Sequence, residues 1–173
     1  MRGNFGFIHE RIEIKVLILF IMRRLPEPVT LDVLAELTLC DEGIGYFDVT
    51  ECITMLVETN HLHFADGKYS LTSRGARNGE ILEKNLPYTV RVKAEDAAAR
   101  IRSVINRNAM IKTTRIADND NGYKVMLTLS DGVGDIISME LFAANEQQAA
   151  SLEKGFRKNA ERVYQVIIEM LMR

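Results

Sequence analysis

The sequence predicts an α+β protein in two parts, one built around helices and a hairpin and the other around a three-stranded sheet. Two stretches with helical apolar spacing stand on either side of a break with two glycines, and an Asp-Gly turn between two alternating runs follows them. Farther along, three alternating segments separated by Asp, Asn and Gly precede a long final helical pattern. Periods of 3.6 and 2 residues are the primary signals of helix and strand.

The first part opens with a helix from about Glu10 to Leu25 that is apolar on nearly every side. Pro26 and Pro28 end it. A helix that is hydrophobic all round must be covered all round. We therefore expect one face to pack on the following helices and the other to need either the second half of the chain or another subunit.

Two shorter helices and a hairpin come next. Residues 31–39 carry apolar side chains at helical spacing, and a second helix with the same spacing is predicted at residues 46–58, after the glycines. Asp66 and Gly67 then separate the runs HLHFA and KYSLT, which is the strongest short-range signal of a hairpin. Thr72 or Ser73 is expected to cap a fourth helix. A helix-turn-helix followed by a hairpin is the winged-helix pattern.

The second part starts after a short linker at Pro87–Lys93, so we predict a winged-helix domain at 1–88 and a dimerisation or sensing domain at 89–173. Its elements are a helix, a three-stranded antiparallel meander (MIKTTRIA, YKVMLTLS and GDIISMELFA) and a long C-terminal helix from about Asn145 to Arg173. Asn145 and Gln148 fit a capping box at the start of that helix.

Composition indicates an ordinary globular protein, with 47% apolar and 27% charged residues and a formal net charge of −2. Cys40 and Cys52 lack a CxxC spacing and are predicted to be free thiols in the cytoplasm. The longest apolar run, Val16 to Met22, is much shorter than the roughly 20 residues of a membrane span, so no membrane association is predicted. Charged residues near the N-terminus argue against a signal peptide.

The segments NFGFIHERIEIKVLILFIM and GYFDVTECITMLVETNHLHFADGKYSLTSRGARNGEILEKNLP carry a family resemblance. They resemble a family of uncharacterised bacterial proteins known only as a domain of unknown function. The order of elements from Arg11 to Pro87 also resembles winged-helix transcription regulators of the PadR and MarR groups. The resemblance implies a winged-helix half, an α/β half and regulatory use, and it implies no catalytic residues.

A DNA interface is predicted on the second helix of the helix-turn-helix and on the hairpin. The second helix of such a motif places its N-terminal residues on base edges in the major groove. The predicted DNA-binding residues lie on that helix, in the hairpin turn and on the fourth helix: Tyr46, Thr50, Thr54, Lys68, Arg74 and Arg77.

Charge argues against this interface. Residues 1–86 hold nine Lys and Arg against thirteen Asp and Glu, and no Lys or Arg occurs from Pro26 to Gly67. Phosphate contacts dominate the affinity of DNA-binding proteins. A solvated surface with ordinary charges is therefore an equal alternative. Seven basic residues from Arg91 to Arg115 can likewise form a patch for nucleic acid, a patch for an acidic partner, or a solvated helix face.

No catalytic, cofactor or metal site is predicted. His61 and His63 lie two apart on an expected strand and share a face, but a metal site would have to recruit Asp66 or Cys52 as further ligands. Phosphate-binding loops, nucleophile elbows and carboxylate pairs are missing from the sequence. We expect a protein that is not an enzyme.

The sequence therefore predicts a homodimeric regulator of transcription that binds double-stranded DNA, with an unknown small-molecule effector. Two alternatives stay open. One is a winged-helix protein-interaction module that does not bind DNA and uses its acidic helix against a basic partner. The other is a small-molecule sensor with a pocket between the meander and the terminal helix.

Overall fold

The structure, a computed structural model, describes residues 7–118 and 122–172. It is a mixed α+β protein with six α-helices and an antiparallel three-stranded sheet, which confirms the predicted class. The elements are α1 (Arg11–Met22), α2 (Leu31–Thr38), α3 (Tyr46–Glu58), β1 (Leu62–Ala65), β2 (Lys68–Leu71), α4 (Ser73–Leu82), α5 (Tyr88–Met110), β3 (Ile111–Asp118), β4 (Gly122–Ser130), β5 (Asp135–Ala143) and α6 (Glu146–Leu171).

The chain divides into two compact units, Met1–Ser103 and Val104–Arg173. Residues 88–93, expected as a linker, form the first turns of α5 instead. The division into units falls inside α5, whereas the predicted boundary at residue 88 coincides with the beginning of that helix. That boundary stays a prediction.

Helix α1 is the centre of the first unit. Ile14 and every residue from Val16 to Met22 are buried, and α1 contacts α2, α3, α4 and β2. These neighbours belong to the same unit, which also includes α5 as far as Ser103, whereas Ile12 in the first turn of α1 is 56% exposed. Because residues 89–103 come from the predicted second half of the chain, the expectation that α1 needs that half or another subunit stays a prediction.

Strands β1 and β2 form the expected hairpin, with Leu62 opposite Leu71. Asp66 and Gly67 both take the left-handed backbone conformation, with φ of 51° and 75°, as a two-residue type I′ turn requires. Val29, just before α2, pairs with Tyr69 of β2 through two backbone hydrogen bonds of 3.0 and 2.7 Å. The backbone between α1 and α2 therefore pairs with the β2 strand of the hairpin.

The start of α4 is tied to the start of the hairpin. The Thr72 hydroxyl accepts a hydrogen bond from the Gly75 amide at 3.0 Å and donates to the Asn60 carbonyl at 2.8 Å. This confirms Thr72 as the N-cap. A methyl group added at Gly75 would lie 2.1 Å from the His61 carbonyl oxygen, so only glycine allows this close approach.

The second unit is a meander, in the order β3-β4-β5, with α6 packed on one face. Asn145 caps α6 by accepting from the Gln148 amide at 2.9 Å, whereas the Gln148 side chain accepts from the Ala144 amide at 2.8 Å and not from the Asn145 amide as the predicted capping box requires. The core between sheet and helix consists of buried side chains from β3, β4, β5 and α6: Ile111, Val125, Leu127, Leu129, Ala143, Ala149, Phe156 and Ala160.

Helix α6 is kinked at Asn159, which has φ −127° and ψ 18°. The Asn159 side chain donates to the Gly155 carbonyl at 3.1 Å, and a side chain inserted into the backbone ladder is a common cause of a kink. The Arg107 guanidinium donates to the Arg157 carbonyl at 2.8 Å and the Lys158 carbonyl at 3.2 Å. Arg107 therefore binds backbone carbonyls next to the kink.

Candidate nucleic-acid interface

Helix α3 presents one buried and one exposed face. Its buried face consists of Val49, Cys52, Ile53 and Leu56. Of the three residues predicted to contact DNA from this helix, Tyr46 and Thr54 are exposed and Thr50 is half-buried. We call the outward-facing group Tyr46, Phe47, Asp48, Thr50, Glu51 and Thr54 the α3 surface.

The most exposed member of the α3 surface is Phe47, whose exposed fraction is 85%. Its ring meets Tyr46 edge to face, with the ring centroids 6.1 Å apart. Phe47 is absent from the predicted contact residues. One feature of the sequence pointed to Phe47, because this residue lies outside the apolar spacing that begins at Val49. A large apolar side chain outside the core spacing of a helix is a candidate for binding, because burial in the helix's own core cannot explain it.

Glu51 is paired on the α3 surface. The Arg11 guanidinium donates two parallel hydrogen bonds to its carboxylate, with nitrogen–oxygen distances of 2.7 and 2.8 Å. Arg11 comes from the first turn of α1, forty residues away in the chain. This bidentate pair neutralises one of the acidic groups that argued against DNA. Sequence reasoning missed it, since nothing local relates the two residues.

Lys68 lies exposed at the hairpin turn, directly after Gly67. Next to it, Phe64 and Tyr69 face each other across the two strands with ring centroids 4.7 Å apart. Because Lys68 and Tyr69 are consecutive strand residues, the exposed ammonium group and the aromatic pair lie on opposite faces of the hairpin.

Arg74 and Arg77 are exposed on α4, three residues apart and so on neighbouring positions of one face. The positive charge of Arg74 contributes to the lowered pKa of His61, after the larger effect of burial and ahead of Lys15. His61 follows α3 in the chain and precedes β1.

The basic run from Arg91 to Arg115 does not form one free patch. Arg107 donates to the Glu161 carboxylate at 2.7 and 2.8 Å, which holds the pKa of Glu161 below its usual value. Arg115 lies 3.5 Å from Glu146 and 3.6 Å from Glu153. Two of the seven basic residues are therefore engaged by α6 in the second unit.

The two histidines do not act as a pair. His61 precedes β1 and hydrogen-bonds with Thr59 and Asn78, whereas His63 lies exposed on β1. Within residues 7–118 and 122–172, no group of three His, Cys, Asp or Glu side chains is placed to hold a metal ion. In the same part of the chain, no helix has both the length and the apolar character needed to cross a membrane.

Comparison with known proteins gives one match. No curated protein and no solved structure matches the chain. The relation to the PadR and MarR groups implied by the resemblance therefore receives no support from these comparisons. A family model, described as "Domain of unknown function (DUF4364)", matches residues 14–171, which is nearly the whole chain. The chain belongs to this family of domains of unknown function.

Proposed function

We propose that this protein is a DNA-binding transcriptional regulator of the winged-helix type. The observation that carries the proposal is the pairing of Val29 with Tyr69. It joins the segment between α1 and α2 to the β1–β2 hairpin, so that helix, short strand, two helices and hairpin follow one another. A winged helix combines these elements in this order, with the second helix of the helix-turn-helix, here α3, as the element that enters the major groove.

The placement of the charges is compatible with this proposal. Arg11 pairs with Glu51, so the middle of the α3 surface carries no uncompensated acid. Lys68 at the hairpin turn and Arg74 and Arg77 on α4 are exposed and available for phosphate. These three basic side chains are the phosphate contacts that the proposal requires.

The test is binding of the full-length protein to mixed genomic DNA fragments at several salt concentrations between roughly 50 and 200 mM. We expect binding that weakens steeply with salt. Lys68→Glu and Arg74→Glu should each weaken binding to all sequences alike and reduce the magnitude of the salt slope by about one. Lys154→Glu, an equal charge change at an exposed position of α6, is the matched control and should bind like the wild type.

Failure of the folded wild-type protein to bind any fragment at the lowest salt would contradict the proposal. Binding that responds to Lys154→Glu as much as to Lys68→Glu would locate the interface elsewhere.

A second candidate, a protein-interaction module without DNA binding, is favoured by one observation. Asp48 and Glu58 remain acidic on α3, and Phe47, the neighbour of Asp48, is 85% exposed. An exposed aromatic side chain next to a carboxylate, on a helix that carries a second exposed acid at its other end, suits a basic protein partner. Absence of DNA binding together with capture of a basic peptide by α3 would favour this candidate.

The third candidate, a sensor pocket between the meander and α6, gains no support. Val125, Leu127 and Phe156 fill the interior between the sheet and the helix, and each is at most 4% exposed. The interior between the meander and α6 therefore offers no candidate site for an effector among the described residues.

We further propose that the regulator is a homodimer that acts in the bacterial cytoplasm. Dimers of helix-turn-helix proteins bind two half-sites of an operator. Because α1 is buried from Val16 to Met22 within its own unit, we infer that the surface for dimerisation comes from elsewhere. The last turn of α6 and the residue after it expose large apolar side chains, namely Ile168, Met170, Leu171 and Met172.

A further inference from the structure

The α3 surface has a restricted set of side-chain chemistries. It contains two aromatic rings, two carboxylates and two threonine hydroxyls, and no Arg, Lys, Asn or Gln. In the major groove, guanine is typically read by Arg or Lys, and adenine by Asn or Gln. Cytosine presents an amino group to carboxylates, and thymine presents a methyl group to apolar side chains. The side chains of the α3 surface itself therefore include no Arg, Lys, Asn or Gln to read purines, and they do include a carboxylate and an apolar ring that can contact pyrimidines.

The two groups that can reach pyrimidine edges are adjacent. Phe47 and Asp48 are exposed in the first turn of α3, and Phe47 is the most exposed large apolar residue of this helix. Glu51 is already engaged by Arg11. Among the carboxylates of the α3 surface, Asp48 alone has no ion pair or hydrogen bond with the described residues.

The threonines add acceptors only. Thr50 donates its hydroxyl proton to the Phe47 carbonyl at 2.9 Å, and Thr54 donates to the Thr50 carbonyl at 3.0 Å. Because each proton is used inside the helix, each oxygen is left to accept. An accepting oxygen matches the exocyclic amino group of cytosine or of adenine and does not match the two acceptors of guanine, so the threonines disfavour guanine only.

We propose that the α3 surface recognises pyrimidine edges in the major groove, with Phe47 on the C5-methyl group of thymine and Asp48 accepting from the N4 amino group of cytosine. This inference rests on the proposed function and specifies the DNA that the same site takes. The preferred operator then has thymine and cytosine at neighbouring positions of the strand facing α3.

The test begins with selection of duplexes from a random library by the full-length protein. In the selected duplex, each thymine is then replaced singly by uracil, which removes only the C5-methyl group. We expect one replacement to weaken binding about four-fold, which corresponds to one buried methyl group. Phe47→Ala should bind the thymine and uracil duplexes equally. Tyr88→Ala, an exposed aromatic residue on α5, is the matched control and should keep the four-fold difference.

Asp48→Asn gives an independent readout. Asn replaces an acceptor-only group by the amide that pairs with adenine. We expect the preferred base at one position to change from cytosine to adenine, by about ten-fold or more.

The outcomes separate the two proposals. If the folded protein selects no duplex, the proposed function fails and the inference fails with it. If it selects a duplex but the uracil replacements have no effect, or Phe47→Ala keeps the wild-type ratio, or Asp48→Asn keeps the preference for cytosine, the inference alone is overturned.

Discussion

His61 is held as a neutral imidazole by its neighbours. Its Nδ1 lies 2.8 Å from the Thr59 hydroxyl, and its Nε2 lies 2.8 Å from the Asn78 side-chain amide nitrogen. Thr59 donates its own proton to the Met55 carbonyl at 2.7 Å, so its oxygen accepts from Nδ1. Nε2 is then left to accept from Asn78. Protonation of Nε2 would place two donors against each other and break this arrangement.

The pH dependence of stability follows from this geometry. Burial, and then the charges of Arg74 and Lys15, lower the pKa of His61 from 6.5 in the folded protein. The unfolded chain therefore binds the proton more readily. The contribution of neutral His61 to the free energy of unfolding is therefore complete above the pKa that His61 has in the unfolded chain. It is lost as the pH falls below that value.

We expect the free energy of unfolding, measured by urea titration, to fall between about pH 6.5 and 5 more in the wild type than in His61→Gln. Gln keeps a donor and an acceptor but does not titrate. His63→Gln, at an exposed position of β1, serves as the control and should follow the wild type. Equal pH dependence in the wild type and His61→Gln would contradict the assignment of the neutral form.

At the scale of the elements, two helical glycines have opposite roles. Gly75 in α4 faces the His61 carbonyl, and a methyl group there would lie 2.1 Å from its oxygen. At Gly155 in α6, the place that a methyl group would occupy has no described atom within 4 Å apart from the local backbone of α6 and the two neighbouring residues. The first glycine is required by packing of α4 against the start of the hairpin, whereas the second only weakens its helix.

The same substitution should therefore change stability in opposite directions. Gly75→Ala is expected to destabilise the protein by about 2 kcal/mol or more, because backbone must move to relieve the clash. Gly155→Ala is expected to stabilise it by about 0.5–1 kcal/mol through helix propensity. Urea unfolding of both variants measures this. A neutral Gly75→Ala would show that α4 can shift from β1 without cost.

The kink of α6 also belongs to this scale. The spacing of apolar residues predicts one continuous helix, and α6 does extend from Glu146 to Leu171. Asn159 departs from helical geometry while Arg107 of α5 binds the carbonyls of the two preceding residues. A residue some fifty positions away therefore supports the bend.

At the scale of the whole molecule, the chain has two compact units, and its apolar surface is unevenly covered. In the first unit α1 is buried from Val16 to Met22. In the second, the end of α6 is left open, with Met170 71% and Leu171 78% exposed. Apolar side chains clustered at one end of a helix are suited to contact with a second copy of the same chain.

We expect the wild type to sediment as a dimer, and the double substitution Met170→Asp with Leu171→Asp to sediment as a monomer with unchanged circular dichroism. Since both side chains are exposed, the substitutions should leave the fold of each chain intact. Val133→Asp, at a fully exposed position between β4 and β5, is the control and should stay dimeric. A monomeric wild type at tens of micromolar, or a double variant that remains dimeric, would contradict dimerisation through α6.

The sequence by itself determined the elements, because their signals are local. The bounds predicted for α3, 46–58, are those of the structure, and the Asp66-Gly67 turn and the Asn145 cap are confirmed. Each of these depends on side chains within a few residues, through helical periodicity, left-handed turn conformation or capping of free amides. The three strands of the meander follow from alternation in the same way.

Only the tertiary structure decided which side chains those elements expose and which distant residues they bring together. The cover on α1, the Val29–Tyr69 pairing and the Arg11–Glu51 ion pair each join residues far apart in the chain, and no local pattern relates them. For the same reason the predicted interface named Tyr46, Thr50 and Thr54 on α3 but omitted Phe47. Helical periodicity shows which residues are free to face outward, whereas exposure depends on what the rest of the fold places beside them.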